Sequence, residues 1–172
     1  MKLRSFLIIL IVFFSIAGLY YFFPESQLTN GVVIDKLELN KSSRELHAMA
    51  KGRIIKTYAV SLGGNPIGHK QFEGDEKTPE GIYFIRAKSH HPKYHKYLWI
   101  SYPNEKDVRY AEKSGKSAGG EVLIHGLNKK YSFMGRFHRW YDWTRGCIAL
   151  TNSEMDELFD AVKTGTTIEI KP

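Results

Sequence analysis

The sequence predicts a mainly β domain with two short helices, preceded by one N-terminal membrane-spanning helix. Three observations carry that prediction. An apolar run, with 16 of 19 residues from Ser5 to Phe23 being Ala, Val, Ile, Leu, Phe or Tyr, follows Lys2 and Arg4. Short β-branched and aromatic stretches, punctuated by Gly, Pro and Asn, recur from residue 31 onward. Capping signals that open a helix stand at Asn104 and at Thr151.

The apolar run comes first. As a helix, 19 residues span roughly 28 Å, close to the ~30 Å hydrocarbon core of a bilayer. Lys2 and Arg4 then stay in the cytoplasm, everything after Pro24 is exported, and Tyr20 and Tyr21 fall at the outer interface. Ser15-Ile16-Ala17 is a competing small-x-small cleavage site. Cleavage there would leave Gly18 to Phe23 as an exposed apolar tail, which favours an uncleaved anchor. Residues 1–23 are therefore read as the anchor, 24–30 as a polar linker and 31–172 as the domain. Either fate of the helix places the domain outside the cytoplasm: inner-membrane-anchored and facing the periplasm, or secreted.

Strand character follows at Val32–Leu39, Glu45–Ala50 and Ile54–Leu62, with Lys51-Gly52 turning between the last two. Leu62 to Gly68 reads as a loop that continues to Thr78-Pro79-Glu80-Gly81. Ile82–Ala87 and Tyr97–Ser101 are further strands, and Lys88 to Tyr97 reads as a mobile rim or lid. Asn104 caps a helix over Glu105–Lys113 that ends near Gly115. Val122–His125 is a brief strand, followed by a long loop rich in Arg and aromatics. Thr151-Asn152-Ser153-Glu154 has capping-box form and opens a helix through about Val162, closed by Gly165. Thr166–Ile170 is the final strand.

Composition excludes several functions. Hydrophobic residues make up 42% of the chain, so wholesale disorder is not expected. After the anchor, 23 basic side chains face 18 acidic ones, a modest excess that suits an anionic partner. No Lys/Arg run interleaved with aromatics and no zinc-finger spacing occurs, so nucleic acid is not an expected partner. His90, His91 and His95 lack an acidic or Cys companion in sequence, and neither a metal nor an organic cofactor is expected.

Cys147 is the only cysteine, so no intrachain disulfide can form. A free thiol in an oxidising compartment needs a chemical reason. A thiol is a weak nucleophile until it loses its proton. Arg145 supplies a nearby positive charge, and His125 or His138 could accept the proton if the fold brings it close. Gly146 allows a tight turn that aims the Gly146 and Cys147 N–H groups at a developing oxyanion. His125 ends an apolar strand, and Gly126 after it has no side chain to block a substrate. Spacing alone leaves two alternatives open: a buried structural cysteine, and a strand-end histidine bonded to a nearby carbonyl.

Ile124-His125-Gly126 followed by Thr144-Arg145-Gly146-Cys147-Ile148 resembles the signature of the L,D-transpeptidase catalytic-domain family. Gly63-Gly64, Gly74-Asp75, Thr78-Pro79-Glu80-Gly81 and Gly165-Thr166 agree with it, as do Asp142-Trp143 before the Gly-Cys pair and Asn152 and Met155 after it. The resemblance implies a β-sandwich-like domain with the cysteine at the end of a groove. It implies that Cys147 attacks a peptidoglycan stem tetrapeptide, expels D-Ala and forms a thioester that an amine or water resolves. In that reading His125 is the base, and Thr144 with the Gly146 and Cys147 backbone frames the oxyanion. Two other readings accompany it: a peptidase that trims stems or releases wall-linked protein, and a non-catalytic wall-binding module. The sequence leaves the oligomeric state open.

The sequence departs from the family pattern at three points. Arg145 stands where a His is common, Ala149 where Asn or Arg is common, and 22 positions separate His125 from Cys147. The added length is an insert, Leu127 to Tyr141. Its Arg136, His138, Arg139 and Trp140 are candidate substrate contacts, cations for stem carboxylates and rings for apolar or sugar faces.

Overall fold

The computed structural model describes residues 3–172, so Met1 and Lys2 lie outside the described residues. Helix α1 runs from Leu3 to Phe22 and buries none of its residues. Apolar on all faces, it has the composition of a helix that faces lipid rather than a protein core.

The domain is one curled sheet. Strands β1 (Ile34–Asn40), β2 (Glu45–Ala50) and β3 (Arg53–Ala59) form an antiparallel meander. Lys51 and Gly52 turn β2 into β3 with φ of 52° and 73°, the left-handed pair that a two-residue hairpin requires. Strands β4 (Gly81–His91), β5 (His95–Ile100), β6 (Leu123–His125), β7 (Ile148–Ala149) and β8 (Val162–Lys171) complete the order β3-β2-β1-β8-β4-β5-β6-β7. The β1–β8 and β6–β7 pairs are parallel. Beyond β3 the chain pairs Ser61 with Ala149 of β7, so the two ends of the sheet meet. The curl encloses a core centred on Leu37, Tyr58, Ile85, Leu98, Ile124 and Ile148, each fully buried. This is the sandwich-like β architecture expected.

Both predicted helices form, for the predicted local reasons. In α2 (Glu105–Lys113) the Asn104 side chain accepts from the Lys106 and Asp107 N–H groups, and Asp107 closes a capping box. In α3 (Asn152–Ala161) Thr151 and Glu154 do the same. Helix α3 lies against β5 and β8.

Three expectations change. Lys88 to Tyr97 is not a loose lid: β4 and β5 extend through it, with Ser89 opposite Tyr97 and only residues 92–94 in the turn. Gly165 does not close α3, which passes directly into β8 at Val162. Gly165 (φ +90°) sits where the β1–β8 register jumps from Ile34↔Val162 to Lys36↔Thr167, so it serves a bulge. The insert is a third helical segment rather than an open loop. Lys129–Trp140 winds in 3-10 turns broken at Gly135, begun by Asn128 accepting from the Lys130 N–H.

Candidate active site

The site is built around the turn Thr144–Cys147. Gly146 has φ of +115°, and a Cβ there would strike the carbonyl oxygen of Lys77, so glycine is demanded twice over. A Cβ on Gly63 would meet the Glu76 carbonyl and lie 3.0 Å from the Gly146 Cα, so the Gly63 loop and the Gly-Cys turn pack backbone to backbone. The buried Thr144 hydroxyl ties the turn together. It donates to the Cys147 carbonyl (2.7 Å) and accepts from the Gly146 N–H (3.1 Å). The Gly146 N–H is therefore engaged inside the turn, and the Cys147 N–H is the donor left for an oxyanion.

Cys147 is partly exposed and lines a cavity of about 420 Å³ with Lys70, Glu73, Glu121 and Arg145 among its walls. Its thiol donates to the Glu121 carbonyl at 3.6 Å. Glu121 has φ of +55°, an uncommon backbone state for a residue with a side chain. Burial pushes the thiol pKa up. The Leu123 backbone and the Lys70 charge pull it back, and the Glu121 carboxylate adds to the rise. The resting group is a thiol that donates to the Glu121 carbonyl.

Lys70 and Asp75 are the site residues that sequence reasoning missed or left unassigned. They form an ion pair of 2.8 Å with side chains only 4% and 5% exposed. Burial alone would raise the Asp75 pKa, but Lys70 and the N–H groups of Gln71, Lys77 and Phe72 outweigh it and hold the carboxyl below its usual range. Lys70 Nζ would lie 3.8 Å from a Cβ placed on Gly146, which sets its charge directly behind the Gly-Cys turn. The only local signal was an Asp five residues after a Lys in a Gly-rich loop.

His125 is the candidate base. It is buried, and its Nδ1 lies 2.7 Å from the Gly126 carbonyl. A carbonyl only accepts, so Nδ1 carries a proton, and Nε2 is the basic nitrogen whenever the ring is neutral. In the parallel β6–β7 ladder His125 stands opposite Ala149. Cys147 directly precedes β7, so the Gly-Cys turn enters alongside β6, the strand that ends at His125. Gly126 is required as well, because a Cβ would lie 2.5 Å from Asn152 Oδ1, which accepts the Leu127 N–H at 2.7 Å.

A second cavity, of about 410 Å³, is lined by Lys93, Tyr94, Tyr131, His138 and Trp143, among others, and two of these residues touch His125. Tyr94 and Trp143 both stack against His125, at 5.1 and 5.9 Å between ring centroids. Ser61 orients His138. The Ser61 hydroxyl donates to the His138 carbonyl (2.8 Å), so at 3.1 Å it accepts from Nδ1–H. Burial, then the charges of Arg139 and His125, lower the His138 pKa to about 3. His138 is thus a neutral ring whose buried Nε2 lone pair has no partner among the described residues, and the Trp143 Nε1–H is likewise unpaired. Asp142 accepts the Leu62 N–H and pairs with Arg44.

The structure does not bring the rest of the insert to the cysteine. Arg136 and Arg139 converge on Glu25 at 3.1 and 3.0 Å, and Arg139 also reaches Glu154 at 2.7 Å. Trp140 stacks on Tyr20 and Phe137. Arg145 does line the Cys147 cavity and is exposed there. His95, which lacks an acidic companion in sequence, finds one in space in Asp156 of α3, 2.7 Å away.

A family model described as the L,D-transpeptidase catalytic domain matches residues 34–170. This chain belongs to that family. The "Putative L,D-transpeptidase YqjB" of Bacillus subtilis is 28% identical over 135 residues, 77% of this chain and 68% of that one. The "Putative L,D-transpeptidase YafK" of Escherichia coli K12 is 28% identical over 122 residues, 70% of this chain and 42% of that one. Among solved structures, the helical cell shape determining protein Pgp2 from Campylobacter jejuni superposes with a TM-score of 0.62 at 26% identity, over 83% of this chain and 49% of that one. The chain thus spans about half the length of Pgp2.

Proposed function

We propose that this chain is a murein L,D-transpeptidase, held at the outer face of the inner membrane by α1, with Cys147 as nucleophile and His125 as base. The observation that carries the proposal is the His125 tautomer. Nδ1–H is committed to the Gly126 carbonyl, so Nε2 is the basic nitrogen of a ring at the end of β6, the strand that β7 and the Gly-Cys turn lie beside.

In the first half-reaction the Cys147 proton passes to His125 Nε2, and sulfur attacks the carbonyl carbon before the terminal D-Ala. The Cys147 N–H meets the oxyanion, and the Lys70 charge behind the turn favours the anionic sulfur and oxygen. The C–N bond then breaks as imidazolium returns the proton to the leaving amine, giving a thioester and free D-Ala. An amine from a second stem attacks the thioester, His125 takes its proton, and Cys147 recovers it.

Arg145, on the wall of the Cys147 cavity, suits an anionic stem peptide. Mass spectrometry of muropeptides tests the assignment. Incubation with disaccharide-tetrapeptides should give a cross-linked dimer that has lost one D-Ala, absent with Cys147→Ala. Shortened monomers alone would replace transfer by hydrolysis. No change at all would leave a wall-binding module.

A further inference from the structure

The exit end of α1 is docked onto the insert. Tyr21 Oη donates to the Phe133 carbonyl (2.9 Å) and Tyr20 Oη to the Arg136 carbonyl (3.4 Å), while Arg136 Nη1 donates back to the Tyr20 carbonyl (2.9 Å). The Tyr21 ring comes so close to Gly135 that a Cβ there would lie 2.7 Å from it. The rings of Tyr20 and Tyr21 both pack on Phe137, with centroids 5.7 and 5.5 Å away. Behind these rings Glu25 joins Arg136 to Arg139, and Arg139 joins Glu154 of α3. Helix, insert and domain therefore form one continuous set of contacts.

The contact extends along the helix. Phe137 and Trp140 share an apolar cleft of about 420 Å³ with Phe13, Phe14, Ala17, Gly18, Tyr21 and Phe22. From Phe13 to Phe22 the helix rises roughly 13 Å. An insert that reaches this far down a membrane-spanning helix lies below the plane where the helix leaves the hydrocarbon. Its outward side chains match that depth. Phe133 is 72% exposed and Trp140 64%. Lys129 and Lys130 are exposed in the same segment, and Leu127 to Tyr141 contains no acidic residue. Such large aromatics are unfavourable in water, and rings near cations are the composition of a bilayer interface.

We propose that the insert Lys129–Trp140 is a second membrane contact. Phe133 and Trp140 enter the boundary between headgroups and acyl chains beside α1, and Lys129 and Lys130 meet lipid phosphates. The proposal rests on the reading of α1 as a retained anchor. Its consequence is that the domain does not swing on a tether. The Cys147 cavity is held at a fixed height and orientation above the membrane.

Brominated-lipid quenching of the full chain tests it, in vesicles of phosphatidylcholine and phosphatidylglycerol. The tryptophans are Trp99, Trp140 and Trp143. Bromine on the upper acyl chain should remove Trp140's share of the emission from the wild type. Trp140→Phe should be insensitive to bromine, and Phe133→Trp added to Trp140→Phe should restore the quenching. Equal quenching of wild type and Trp140→Phe would overturn the proposal, as would vesicle-bound wild type that bromine does not quench. A blue shift that grows with protein concentration and ignores bromine would make the face a contact between copies, and also overturn it. A chain that fails to float with the vesicles would overturn the anchor reading itself, and this proposal with it.

Discussion

Replacing Thr144 by Val keeps the shape of the side chain and removes the hydroxyl that closes the Gly-Cys turn. One oxygen there donates to the Cys147 carbonyl and accepts from the Gly146 N–H, in a residue only 6% exposed. Valine leaves both backbone groups without a partner, at about 1–3 kcal/mol each. The expected loss is therefore roughly 2–6 kcal/mol, out of a typical domain stability of about 5–15 kcal/mol. For a chain of this size, about 2–4 °C of melting temperature goes with each kcal/mol, so the midpoint should fall by roughly 4–24 °C. The assay is thermal unfolding of the full chain in detergent, with Thr144→Ser as the control that keeps the hydroxyl and stays near wild type. Turnover should fall further than unfolding at the assay temperature explains, because the Cys147 N–H loses its fixed direction. A Val variant that melts with the wild type would refute the view that this hydroxyl holds the turn.

Three further outcomes are expected. Lys70→Met removes the charge that opposes the burial-driven rise of the Cys147 pKa, so iodoacetamide should alkylate the thiol more slowly at neutral pH; an unchanged rate would remove Lys70 from the site. His138 has a pKa lowered to about 3 in the folded chain, so between its unfolded value near 6.5 and that value the unfolded state binds the extra proton. Its contribution is complete above pH 6.5 and is lost on acidification, by roughly 2 kcal/mol at pH 5. Urea unfolding at pH 7.5 and pH 5 should show that loss in wild type and not in His138→Gln, and equal losses would contradict it. Asn152→Ala strips the Leu127 N–H of its acceptor, and should cost about 1–3 kcal/mol in urea unfolding; no loss would mean that the insert's entry is held elsewhere.

What the sequence made legible was local. The Asn104 cap, the Thr151–Glu154 capping box, the Lys51-Gly52 hairpin and the demand for glycine beside Cys147 are settled within a few residues of each position, and each is met in the fold. His125 and Cys147 were proposed from a motif, and the pairing that brings β7 beside β6 was not legible. Lys70 was hidden because 77 positions separate it from Cys147, and nothing near either residue marks the approach. The insert was misjudged for the same reason. Arg136 and Arg139 look like free cations in sequence, and only the fold brings Glu25 and Glu154 to them. Gly165 resembled a helix stop because a bulge and a C-cap both demand the same left-handed backbone.

The central claim is that Cys147 forms a covalent acyl-enzyme with His125 as its base. Intact-protein mass spectrometry of the full chain, quenched in acid during turnover of a stem tetrapeptide, tests it most directly. The account predicts an adduct equal to the tetrapeptide less D-Ala, mapped to Cys147, absent in Cys147→Ala and slow to form in His125→Ala. Product release by Cys147→Ala at the wild-type rate, or an adduct that forms equally fast without His125, would contradict it.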